Sequence, residues 1–310
     1  MIEMLLYDPN VRWVVMASLL LGLSGGVLGS FAFLRKQSLM GDVLAHAALP
    51  GICIAFMLTG TRSMLWFMIG AAIAGMLATF GIGFITRHSR IKQDAALAMS
   101  LSVFFSVGVV LLTHIQHHVR GNQSGLDTFL FGQAAAMTMS DVYLLATVAL
   151  ILIAACALFF KEFKLISFDP EFAKGIGLPV AALEQFLMFL IVIAVIVGIQ
   201  AVGVVLMAAL LIIPAVTARY WTDHLGHMVV IAGAIGAFSG FSGTILSTLA
   251  HHLPTGPLTV LSATFLFALS LILSPKRGLV GKWLSRRKAR MLLVASDHLE
   301  QERAFVRGGG

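Results

Sequence analysis

The chain has 310 residues, 59% of them hydrophobic and only 11% charged, with a mean hydropathy of +0.95. Water-soluble domains carry about 25% charged residues, so this composition excludes a soluble globular protein and makes lipid the solvent. The net charge of +7 does not mark a nucleic-acid binder, because the cations sit in short loops between apolar runs and in the C-terminal segment, the pattern of the positive-inside rule.

A helix crosses the hydrocarbon with about 20 apolar residues. Spans are expected over 14–33, 38–59, 64–86, 94–113, 139–160, 183–199, 201–218, 228–249 and 257–274. Glu3 and Asp8 precede the first run, which is also too long for the core of a signal peptide, so it reads as a retained span. The predicted fold is all-α, a polytopic bundle of eight or nine transmembrane helices. Residues 126–138 read as a partial or re-entrant helix and 199–201 as a tight hairpin. Arg35, Lys36, Arg87, Arg90, Lys92, Lys161, Lys164, Lys174 and Arg219 fall at alternate ends of the spans. This places the N-terminus outside and the C-terminus in the cytoplasm.

Glycines spaced by four, Gly22 with Gly26, Gly25 with Gly29 and Gly236 with Gly240, allow close helix approach. Cys53 and Cys156 lie in apolar runs without motif spacing and read as small core hydrophobes. Residues 1–280 form the transmembrane domain, and 281–310 a charged cytoplasmic tail.

The second span carries SLMGDVLAHAALPG, residues 38–51. An acidic residue at the centre of a spanning helix costs about 2.5–3.5 kcal/mol and is usually functional. Asp42 and His46, four apart, project from one helical face. Carboxylate and imidazole together make half of a divalent-metal site of borderline hardness. The alternative is that Asp42 sits at the inner interface and His46 bonds a neighbouring helix. Two ligands are too few for a selective site, and two facing copies of the chain supply four. Pro50 and Gly51, just beyond, are expected to loosen the helix and free backbone carbonyls. His114 and His118, also four apart on the outer side, are lesser metal candidates; exposed histidines of this kind are more often solvated.

The second informative segment is FDPEFAKGIGLPV, residues 168–180. Asp169 can cap a helix starting at Pro170. Glu171 adds charge suited to the helix N-terminus, and Gly175 or Gly177 can end the helix. The product is a short helix outside the membrane (about 168–179), either an ordinary interfacial turn or a knob that docks into a partner. No phosphate-binding loop ending in Gly-Lys-Ser/Thr is present, so the chain itself does not bind ATP in that way.

Together, SLMGDVLAHAALPG and FDPEFAKGIGLPV resemble stretches of the membrane permease subunit of bacterial manganese/zinc/iron ABC importers. So do VGVVLMAALLIIPAVTARYWT (202–222) and LPTGPLTVLSATF (253–265). The resemblance runs from the first span to about residue 275. It implies a permease subunit of the bacterial inner membrane, paired with an identical or homologous second subunit. Cytoplasmic ATP-binding subunits hydrolyse ATP, so the chain itself is not an enzyme, and an extracytoplasmic protein delivers the metal. It also implies that Asp42 and His46 line the translocation path at the permease interface. The 168–179 helix, on the cytoplasmic side, becomes a coupling helix, with Phe168, Asp169, Pro170, Glu171, Ala173, Lys174 and Gly177 meeting the ATPase. No bound cofactor is expected. The cargo is a divalent metal, Mn²⁺ first because carboxylate favours it and no thiolate enters the site, with Zn²⁺ or Fe²⁺ next. A proton-coupled secondary carrier is the alternative from another class; it needs the Asp/His pair but gives no reason for the 168–179 helix.

Overall fold

The computed structural model describes residues 9–60, 64–118, 139–249, 255–274 and 278. The helices in order are α1 (Pro9–Leu34), α2 (Met40–Thr59), α3 (Met64–His88), α4 (Gln93–His118), α5 (Met139–Leu158), α6 (Phe160–Phe168), α7 (Pro170–Gly175), α8 (Val180–Val202), α9 (Val204–Trp221), α10 (Leu225–Leu249) and α11 (Thr255–Leu273). Among the described residues, eight helices are long and apolar enough to span a bilayer; α9 is apolar but shorter, qualifying over Leu206–Trp221. The expected segments 126–138 and 281–310 lie outside the described residues.

Helix α1 is the hub. A Cβ built on Gly22 would run into the carbonyl of Gly236, and one on Gly240 into the carbonyl of Ser18. Only glycine lets α1 and α10 come this close, and the gain is direct backbone packing where lipid supplies no hydrophobic drive. On its other side, Gly25 and Gly29 lie against Leu210 and Leu211 of α9. The two glycine pairs of α1 thus serve two different neighbours.

Helices α8 and α9 are separated by a single residue, Gly203, at φ +89. That conformation favours glycine. The chain reverses there: Gly198 lies against the Met207 side chain, whereas nine residues of continuous helix would hold them about 13 Å apart. The turn therefore lies at Gly203, beyond the expected 199–201, because Gly203 alone there accepts the left-handed backbone.

The α1–α2 turn is closed by Lys36 at φ +58. Gln37 N–H donates to Ala32 O at 2.9 Å and Lys36 N–H to Phe33 O at 3.0 Å, the two bonds of a Schellman cap. At this end of the bundle, Glu184 of α8 receives Arg35 at 2.7 Å and Arg87 of α3 at 3.2 Å. One carboxylate thus ties together the ends of three membrane segments.

Helix α2 remains helical through Pro50 to Thr59, where loosening was expected. Gly51 explains this: it packs against Gly70 of α3 at a distance no side chain would permit. Cys53 and Cys156 are free and buried, as their apolar surroundings foretold.

Candidate metal path and docking helix

From Met40 to Cys53 every residue of α2 is buried except Asp42 and His46. Their side chains are 43% and 31% exposed, and His46 Nε2 lies 3.4 Å from Asp42 Oδ1. Burial elsewhere comes from α3, α4, α8 and α9, which surround this half of the helix. The Asp42 and His46 side chains therefore occupy its single opening. The Phe105 ring of α4 meets the His46 imidazole edge-on, centroids 4.9 Å apart, which restricts the imidazole's rotation. Deeper in, Leu49 fills the space over Gly108 and Cys53 Sγ sits 3.9 Å from the Gly108 carbonyl.

Asp42 belongs to the first turn of α2, so it lies near the end of the span and not at its centre. His46 lies one turn deeper. Pro50 has no N–H, so the His46 carbonyl loses the amide partner that the helix would otherwise provide. Carboxylate, imidazole and a freed carbonyl thus lie within one turn. Among the described residues, no group of three or more His, Cys, Asp or Glu comes together.

His114 is an exposed residue of α4, far along the helix from the Phe105 contact. The side chain of His118 lies outside the described residues, as do His251 and His252.

Helix α7 forms as its caps dictate. Asp169 Oδ1 accepts a hydrogen bond from Phe172 N–H at 2.9 Å, with Pro170 at the first position. Gly177, at φ +85, closes it: Leu178 N–H donates to Ala173 O and Gly177 N–H to Lys174 O, both at 3.0 Å, a second Schellman cap. Ala173 is fully buried and anchors the helix to the bundle, so it presents nothing to a partner. Glu171 and Lys174 pair at 3.0 Å on the exposed side. Phe168 at the end of α6, Phe172 within α7 and Ile176 at its C-cap are each 56% exposed. Phe172 and Ile176 were not singled out in the sequence; their exposure is what the structure adds.

Eight apolar helices of spanning length, with an Asp/His pair at the one opening of a buried helix half, define a multi-pass membrane protein. Comparison with known proteins agrees. The ABC 3 transport family matches residues 7–274, and the chain belongs to that family. It is 54% identical over 97% of its length, and 71% of the relative's, to the manganese transport system membrane protein MntC of Bacillus subtilis. It is 42% identical to the zinc transport system membrane protein TroC of Treponema pallidum, covering 92% of this chain and 96% of that one. PsaBC from Streptococcus pneumoniae, solved in complex with a Fab, superposes with a TM-score of 0.78 at 30% identity, covering 92% of this chain and 98% of the other. The chain is thus a plasma-membrane permease subunit and not an enzyme; ATP is hydrolysed by a separate subunit.

Proposed function

We propose that this permease imports Mn²⁺ through a path at the boundary between two permease subunits, with Asp42 and His46 of both holding the ion in transit. The observation that carries this reading is the opening in α2: a buried helix half exposes two residues, an aspartate and a histidine, and both types bind divalent metals. One copy offers a carboxylate, an imidazole and a freed carbonyl. Two copies related by a two-fold axis complete a mixed oxygen–nitrogen set, weak enough to release its ion. Oxygen donors without thiolate suit Mn²⁺, and the manganese relative at 54% identity supports the same choice over the zinc relative at 42%. Zn²⁺ is the second reading, favoured by the imidazole.

In this scheme the end bearing Arg35, Arg87 and α7 faces the cytoplasm, in keeping with the positive-inside rule. Helix α7 enters a groove of the ATPase, and Phe168, Asp169, Pro170, Glu171, Lys174 and Gly177 lie at that contact with Phe172 and Ile176. An extracytoplasmic binding protein delivers the metal to the opposite face.

The test is ⁵⁴Mn uptake and metal-stimulated ATPase activity of the reconstituted transporter. Asp42→Asn and His46→Ala abolish uptake while the complex still assembles. Uptake at the unmodified rate by either variant removes the pair from the path. Stimulation by Zn²⁺ and not Mn²⁺ selects the second reading.

A further inference from the structure

On a different face of the bundle lies a groove of about 590 Å³, walled by Leu23 and Phe31 of α1, Ala157 of α5, Phe160 of α6, and Val230 and Ala234 of α10. It contains no polar side chain. Along α1 it runs from Leu23 to Phe31, and along α10 from Gly226 to Ala234; each covers eight residue steps, or about 12 Å of helix. The hydrocarbon core is about 30 Å thick, so the groove has the depth of one leaflet and not of a membrane-spanning partner helix.

Its mouth is at the end that carries α6 and α7. There Gly226 faces the Phe160 ring, 3.9 Å from where its Cβ would stand. Lys161 and Lys164 follow Phe160 and are exposed, as are His224 and His227 beside Gly226, whose rings lie 5.9 Å apart. The acidic neighbours offset this little. Glu162 turns one carboxylate oxygen into the protein, and Asp223 is paired with Arg219 at 3.5 Å. An apolar slot one leaflet deep with cations at its rim matches an acyl chain under an anionic headgroup, and basic pockets at the cytoplasmic side of helices bind such headgroups.

We infer that this groove binds one anionic glycerophospholipid of the cytoplasmic leaflet, its acyl chain along α1 and α10 and its phosphate at Lys161 and Lys164. The inference rests on the proposed orientation and on a subunit boundary at the Asp42–His46 face. Helices α2 and α4, which carry that face, pack against each other and α3, away from the groove walls.

The experiment uses the complete transporter in nanodiscs of equal parts phosphatidylcholine and phosphatidylglycerol, followed by native mass spectrometry. The unmodified protein retains phosphatidylglycerol after detergent extraction. Lys161→Gln and Lys164→Gln each lower the preference for phosphatidylglycerol over phosphatidylcholine about fivefold. Ala157→Phe with Ala234→Phe fills the slot from two exposed walls and removes retained lipid while the subunits stay assembled. Equal retention by all variants overturns the inference. So does dissociation of the permease pair by the double phenylalanine variant, which would make the groove the subunit boundary. Asp42→Asn leaves lipid retention unchanged, so failure of the metal reading and failure of this one are separable.

Discussion

Replacing Glu184 with Gln tests whether one carboxylate holds this end of the bundle together. Glu184 Oε1 meets Arg35 Nη2 at 2.7 Å and Oε2 meets Arg87 Nη2 at 3.2 Å. The Arg87 side chain is 60% exposed, and an exposed pair is worth about 0–1 kcal/mol. Arg35 is different. Its side chain is 14% exposed, and its Nη1 is already buried without a hydrogen-bond partner. Losing the carboxylate leaves a largely desolvated guanidinium uncompensated, which costs about 2–3 kcal/mol by the usual penalty for an orphaned charged donor. Glu184→Gln therefore destabilises the permease by about 2–4 kcal/mol, and Arg87→Gln by under about 1 kcal/mol. Thermal unfolding of the purified protein in nanodiscs, read by tryptophan fluorescence, measures both. The double variant Arg35→Met/Glu184→Gln removes the orphan, and part of the loss returns as a coupling energy of about 0.5–3 kcal/mol. If Glu184→Gln and Arg87→Gln prove equally mild, or the double variant is worse than additive, the reasoning about Arg35 is refuted. Arg35 opens the turn into α2, seven residues before Asp42, so ATPase stimulation by Mn²⁺ should also weaken in Glu184→Gln.

Other changes probe the remaining contacts. Gly22→Leu forces a side chain into the Gly236 backbone; it should prevent accumulation of folded protein in the membrane, and normal expression with unaltered stability would contradict the close α1–α10 approach. Phe105→Ala frees the His46 imidazole and should weaken apparent Mn²⁺ affinity in uptake assays several-fold at unchanged protein level; an unaffected affinity denies Phe105 a positioning role. Asp169→Ala removes the α7 cap at about 1 kcal/mol, and Phe172→Ser removes exposed apolar surface; both should reduce co-purification of the ATPase subunit, with Phe172→Ser the stronger. Exchanging Glu171 and Lys174 preserves their mutual pair while inverting the charges shown to a partner, so weakened co-purification there reports on the partner and not on α7 itself.

The spans were legible in the sequence because lipid demands an unbroken apolar run of fixed length, a constraint that acts on each helix separately. The α7 caps were legible for a similar reason: Asp169, Pro170 and Gly177 act on backbone groups within a few residues. So was the pairing of Asp42 with His46, since a spacing of four puts both on one face. What the sequence left open depended on neighbours distant in the chain. That Asp42 and His46 occupy the only opening in a buried helix half follows from where α3, α4, α8 and α9 pack. Nothing near Glu184 in the sequence marks its partners, Arg35 and Arg87, which only the fold brings to it. Gly51 beside Pro50 suggested a loosened helix, and only the facing Gly70 shows that glycine there serves contact. Local periodicity and capping chemistry can be read residue by residue. Which face meets which helix is set by close packing among all the helices at once, and that was decided in three dimensions.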